Sequence, residues 1–212
     1  VVIARAAQET GIGTFSFRGR TADPFTTPEL LTVADAFSRY ASIDLLATIA
    51  DGQGLRDALA RAARDRVRVT EDDTWSDIFS KVLVEHIEPH LGQERLTILY
   101  EYPAPEAALA RTKASDPRVA ERFEVYACGV ELANGFGELI DANEQRQRFT
   151  QAMDEKESRY GERYPLDEDF LSAMTSMPEA CGVALGFDRL VMLASGATRV
   201  DQVVWTPIGA EA

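Results

Sequence analysis

Apolar residues recur along this chain with two different periods. In the first half they follow helical spacing. Leu55, Ala58, Leu59 and Ala62 share one face, as do Trp75, Ile78, Phe79, Val82, Leu83 and Ile87, so helices are predicted over 55–65 and 75–88. Thr74 stands at the N-cap of the second, and Pro89 stops it. Residues 1–9 read as the tail of a helix closed by Gly11 and Gly13. Thr32 with Asp35 makes a capping-box-like start for "VADAFSRYA". Between them, 14–20 alternates as a short strand, and 21–30, with two prolines, reads as loop.

The second half changes to a period of two. "RLTILYEYP" (95–103) reads as a strand stopped by proline; "RFEVYACG" (122–129) and "VELANGFGEL" (130–139) read as a hairpin turning at Gly129. Residues 104–117 are small and polar, a short helix plus loop. Asp141 caps a long charged helix with Phe149 and Met153 as an i,i+4 pair, and "YPLDEDFLSAM" holds another short helix. "CGVALGF" (181–187) is a strand feeding the helix "DRLVMLASG", and "VDQVVWTP" (200–207) is predicted as a last strand. The pattern is α+β: an antiparallel sheet flanked by helices, mainly helical over 1–94 and sheet-rich over 95–212.

Composition narrows the function classes. No apolar run approaches the ~18–20 residues of a membrane helix, and the first residues lack the order of a secretory leader. The formal net charge of −13 weighs against a broad phosphate-binding surface and fits a site for divalent cations or a cationic ligand. Cys128 and Cys181 lie far apart, in no metal-ligand spacing, and read as two reduced, partly buried thiols. The chain starts on Val1 in mid-helix without a cap, as if cut from a longer polypeptide.

Candidate chemistry concentrates in "GVELANGFGELIDANEQ" (129–145). On a strand, Asn134, Phe136 and Glu138 share a face. An amide, an apolar wall and a fixed negative charge suit a ligand with an ammonium group and an aliphatic stem; the same trio also fits the wet face of an edge strand. Gly135 and Gly137 leave the opposite face open to close packing. Glu131 has the wrong parity for the trio unless a bulge near Ala133 re-aims it. Glu124, on the preceding strand, is its plausible neighbour. Two carboxylates across a hairpin repel unless a cation such as Mg²⁺ sits between them or an arginine, Arg122 for one, pairs with them. Arg189 stands at a strand–helix junction, where it can fork onto a phosphate or pair with a surface acid. The glycines match no dinucleotide or P-loop pattern, and His86 and His90, interrupted by Pro89, make no metal motif.

Taken together, "RFEVYACGVELANGFGELIDANEQRQRF" and "GVALGFDRLVMLASG" resemble the C-terminal catalytic half of class II lysyl-tRNA synthetases, and still more the paralogous family of elongation factor P (R)-β-lysine ligases. The resemblance covers about residues 95–208 strongly and 1–94 weakly. It implies that Glu124 and Glu131 hold Mg²⁺ and ATP. Asn134, Phe136 and Glu138 would line the lysine-type pocket, and Arg189 would bind the γ-phosphate. Ala184 stands where the synthetases usually have glycine and the ligases alanine. The implied activity is ATP-dependent formation of a lysyl or β-lysyl adenylate and its transfer to a lysine of elongation factor P, by a cytoplasmic homodimer. The alternatives are charging of tRNA, and a silent binding module. The first and second signature motifs of the class are not found, so the resemblance implies an N-terminally truncated catalytic domain with half an ATP site, inactive alone. "FRGR" (17–20) is only superficially like the second motif.

Overall fold

Helical and strand periods meet on one five-stranded sheet in the computed structural model, which describes residues 1–107 and 109–206. Chain order begins with α1 (Val2–Thr10), β1 (Phe15–Phe17), β2 (Arg20–Asp23), β3 (Glu29–Thr32) and α2 (Val33–Ala36), which runs into a π-turn, Phe37–Ala41. A small hairpin of β4 (Ile49–Ala50) and β5 (Gln53–Gly54) precedes α3 (Arg56–Ala63) and α4 (Trp75–Val82). A π-turn (Leu83–Ile87) and a 3-10 turn (Glu88–His90) extend α4 toward β6 (Glu94–Arg95). Then come β7 (Thr97–Pro103), β8 (Val119–Ala127), β9 (Val130–Gly137), α5 (Ala142–Tyr160), α6 (Glu168–Met174), β10 (Cys181–Leu185) and α7 (Phe187–Ser195).

The large sheet has the order β10-β9-β8-β7-β3, antiparallel except for the β3–β7 pair. Leu31, Leu99 and Tyr126 point from one face into a layer made by α2, α3 and α4, among Phe37, Leu59, Ile78, Phe79 and Val82. The Phe37, Phe79 and Trp75 rings stack there, with centroids 5.1 and 5.3 Å apart. That layer covers the β3–β7 end. At the β9–β10 end of the same face Asn134 and Phe136 are half-buried and Ala184 is exposed. The sheet therefore has one packed end and one open end, and the open end carries the candidate residues. A second core gathers Ala7, Phe15, Leu132, Leu190 and Leu193 beneath α7.

The caps follow the sequence. Thr74 Oγ1 accepts from Asp77 N (3.1 Å), while Asp77 Oδ2 accepts from Thr74 N (2.8 Å), closing a capping box. Thr32 accepts from Asp35 N (3.0 Å), and Asp141 accepts from Asn143 N and Glu144 N. The hairpin turns on Cys128 and Gly129, both left-handed (φ 55° and 74°), the turn that matches strand twist.

Several expectations need correction. The 21–30 stretch is not all loop, because β2 pairs with β1 and β3 is an edge of the large sheet. Its prolines lie between the two strands, where no ladder hydrogen bond is needed. Pro89 sits inside a 3-10 turn rather than after the helix. No strand forms at 200–206; Val200–Gln202 is a 3-10 turn stapled by the Gln202 side chain, and Pro207 lies outside the described residues. The two cysteines differ in depth. Cys128 is buried and its thiol is pushed up to about 11 by that burial, whereas Cys181 is exposed on β10. One thiol per native chain is therefore expected to react with a water-soluble disulfide reagent near pH 8, and two after denaturation.

One glycine is demanded by a close approach. Gly92 is left-handed (φ 66°), and a Cβ there would lie 2.5 Å from Ala127 Cα. The obstacle is the Tyr126–Ala127 backbone of β8, which cannot swing away. Gly92→Ala is expected to lose about 1–3 kcal/mol by overpacking alone, with the left-handed strain added; urea unfolding measures the sum.

Candidate functional site

The site is built on a register shift. β9 pairs with β8 as Ala127↔Val130 and Tyr126↔Glu131, then as Val125↔Ala133 and Glu124↔Asn134. Leu132 is the extra residue. A one-residue insertion reverses side-chain parity along the strand. Glu131 thus shares a face with Glu124, Asn134 and Phe136, which an unbroken strand forbids. The Leu132 side chain enters the core under α7, where it is 1% exposed. Its carbonyl accepts from Gly186 N (2.8 Å), and the Glu131 carbonyl accepts from Arg189 Nη1 (3.0 Å). The β10–α7 junction thereby clamps the bulge. The bulge expected near Ala133 lies one residue earlier.

Arginines meet both acids of the hairpin, in two different settings. Arg122 Nη2 donates to Glu124 Oε1 (2.8 Å), with the two side chains 16% and 8% exposed. The Arg122 guanidinium is held over the Tyr102 ring (4.4 Å) and beside Phe136 (5.9 Å), and donates to the Glu106 carbonyl (2.6 Å). Tyr126 donates to Glu124 Oε2 (2.6 Å). Arg189 Nη1 reaches Glu131 Oε2 at 3.2 Å, with side chains 49% and 35% exposed. The first pair is a buried fixture. The second is a surface pair of the sort that contributes about 0–1 kcal/mol and exchanges readily for a better anion.

Glu138 is different. Its backbone N–H donates to Ala180 O (3.0 Å) and it bridges to Ala110, so the main chain is pinned. Among the described residues no side chain pairs with its carboxylate. Phe136 and Asn134 precede it on the same face, and β10 lies alongside with Ala184 opposite Asn134 and Gly182 opposite Phe136. β9 is flanked on both sides, so the edge-strand reading of this stretch does not hold. Asn134 Nδ2 leans on Glu124 Oε1 (3.4 Å), while its Oδ1 is buried without a partner. The other side of β9 is packing: Gly135 lies against the Phe123 ring and Gly137 against Glu121 and Arg111.

A cavity of about 580 Å³ opens beside Glu131, lined by Arg18, Glu88, Tyr126, Arg189 and Arg199. Burial pushes the Glu88 carboxyl above its usual range, and the charges of Glu124 and Glu131 push it further. A larger cavity, about 1280 Å³, lies between α5 and residues 51–56 and 71–76, and contains none of the predicted site residues. Among the described residues no group of three or more acids, histidines or cysteines is disposed around one metal position. The donors nevertheless fit a hard cation that keeps water and phosphate ligands: they are all oxygen, on one face, and Glu124 Oε2 and both Glu131 oxygens retain free lone pairs. Tyr126 was legible from parity with Glu124 but was missed. Glu88 comes from the end of the α4 segment, and only the tertiary fold brings it here.

The antiparallel-rich sheet with its flanking helices agrees with a class II tRNA synthetase domain. The chain belongs to that family: residues 25–208 match the model of the class II tRNA synthetases (D, K and N). Among curated proteins, it is 44% identical over 181 residues to the elongation factor P–(R)-β-lysine ligase of Proteus mirabilis, covering 85% of this chain and 55% of that protein. It is 45% identical over 177 residues to the ligase of the same name from Salmonella arizonae, covering 83% and 54%. The chain therefore spans about half the length of the curated relatives it matches. No helix among the described residues is long and apolar enough to cross a membrane.

Proposed function

We propose that this chain carries the amino-acid pocket and part of the ATP site of a ligase. The enzyme would activate lysine or (R)-β-lysine as an acyl-adenylate and pass it to a lysine of elongation factor P. The observation that supports this most is the Glu138 carboxylate, unpaired among the described residues, on the same face of β9 as Phe136 and Asn134. A cationic amino group would neutralise Glu138, its aliphatic stem would lie on Phe136, and the orphaned Asn134 Oδ1 would accept from an ammonium N–H. Ala184 adds one methyl to the pocket floor, a difference of about 1–3 kcal/mol between alternative substrates.

The substrate carboxylate attacks the α-phosphorus of ATP and pyrophosphate leaves. The amine of the acceptor lysine then attacks the acyl carbon and AMP leaves. Arg189 trades its half-exposed pair with Glu131 for the γ-phosphate and stabilises charge on the leaving group. Glu124, fixed by Arg122 and Tyr126, and Glu131, fixed by the bulge, would hold Mg²⁺, which supplies neutralisation of phosphate charge. A cytoplasmic homodimer belongs to the same reading.

The test is amino-acid-dependent ATP–pyrophosphate exchange, on this chain and on the longest natural polypeptide containing it. Exchange with (R)-β-lysine exceeding that with L-lysine, with label reaching elongation factor P, is the expected result. Preference for L-lysine with acylation of tRNA rejects it in favour of a tRNA-charging enzyme. The second reading is a binding module. Diamine binding without exchange in either polypeptide would select that one.

A further inference from the structure

We propose that Gly182 is the residue that places the Glu138 carboxylate, and so sets the grip of the pocket on an amino group; the second clause rests on the pocket reading above. Gly182 lies on β10 opposite Phe136, on the face that carries Asn134, Phe136 and Glu138. A Cβ added to it would fall on Glu138 Oε1, closer than real side chains approach; among the described residues, chain neighbours aside, the only other atom within 4 Å is Glu138 Cδ at 3.6 Å. Among the described residues, the Glu138 carboxylate fills the space over Gly182.

Nothing in the backbone asks for glycine here. Gly182 is in an extended strand rather than the left-handed region, and alanine is the better strand residue of the two. The neighbouring glycines differ in kind. Gly135 makes room for the Phe123 ring and Gly137 for Glu121 and Arg111, both on the packed face away from Glu138. Gly182 alone of the three yields its space to the acid proposed to bind substrate. Because Glu138 is held through its N–H to Ala180 and its bridge to Ala110, a methyl at 182 cannot be accommodated by moving the strand. Only the Glu138 side chain can swing. Gly182 therefore acts as a positioning residue, distinct from Ala184, which lies opposite Asn134.

The experiment compares wild type, Gly182→Ala, Glu138→Gln and the double variant, with L-lysine and (R)-β-lysine as calorimetric probes. It also follows the Glu138 carboxyl ¹³C resonance without ligand, assigned by its loss in Glu138→Gln. Gly182→Ala should keep or raise the melting temperature, shift the resonance, and weaken diamine binding by about tenfold. The double variant should bind no worse than Glu138→Gln, since both changes act on one carboxylate. An unmoved resonance overturns the inference, as does a lowered melting temperature, which would make Gly182 a packing residue. Additive losses in the double variant overturn it too. If wild type binds neither probe, or Glu138→Gln binds as well as wild type, the pocket reading falls and the grip on ligand with it. A displaced resonance would then still uphold Gly182 as the residue that places Glu138.

Discussion

Arg122→Met is expected to cost about 3–5 kcal/mol of folding stability, the usual result of removing one member of a buried ion pair. Methionine can lie between Tyr102 and Phe136, so lost packing is a minor part. The main cost is Glu124, 8% exposed, left with only Tyr126 and a long contact from Asn134. A second cost is the Glu106 carbonyl, which loses its 2.6 Å donor. Urea unfolding of the single variants and of Arg122→Met/Glu124→Gln gives the cycle. The double variant should be markedly more stable than the sum of the singles implies, because the uncompensated charge is gone. Strict additivity would mean that the pair is not coupled and that Arg122 does not fix Glu124.

Arg189→Ala has the opposite profile. Its partner Glu131 is 35% exposed and its own side chain is 49% exposed, so the melting temperature should barely move. Under the proposed function, exchange activity should fall by about 10²–10³-fold, the scale seen when one donor to developing charge is removed. Arg189→Lys should recover only part of this, since an ammonium cannot reproduce the planar fork. A large stability loss with little change in turnover would make Arg189 a clamp for the bulge, through its bond to the Glu131 carbonyl, rather than a phosphate ligand.

The contrast between these two arginines shows where sequence reading stops. Both acids of the hairpin were expected to face either a cation or an arginine, and each meets an arginine. One pair is sealed by Tyr102, a residue 20 positions upstream on β7, and the other stands in water. Burial separates a structural pair from an exchangeable one, and burial depends on what the rest of the chain lays over the strand. The Asn134–Phe136–Glu138 face was legible because strand parity is local and strict. The edge-strand alternative fell because β10, more than 40 residues downstream, pairs with β9. Glu88 could not be placed at all, since no local rule connects the end of a helix to a hairpin it only meets in space.

By itself the sequence determined the caps at Thr32, Thr74 and Asp141, the hairpin at Gly129, the alternating face and the family resemblance. These depend on spacing over a few residues, where backbone geometry leaves one solution. The tertiary structure alone decided the orientation of Glu131 and the identity of the free acid. A bulge at Leu132 is stable only because α7 offers that leucine a core and Gly186 and Arg189 hold the two carbonyls it exposes. The Glu138 carboxylate lies in space that a side chain at position 182, opposite Phe136 on β10, would fill, and Gly182 has none.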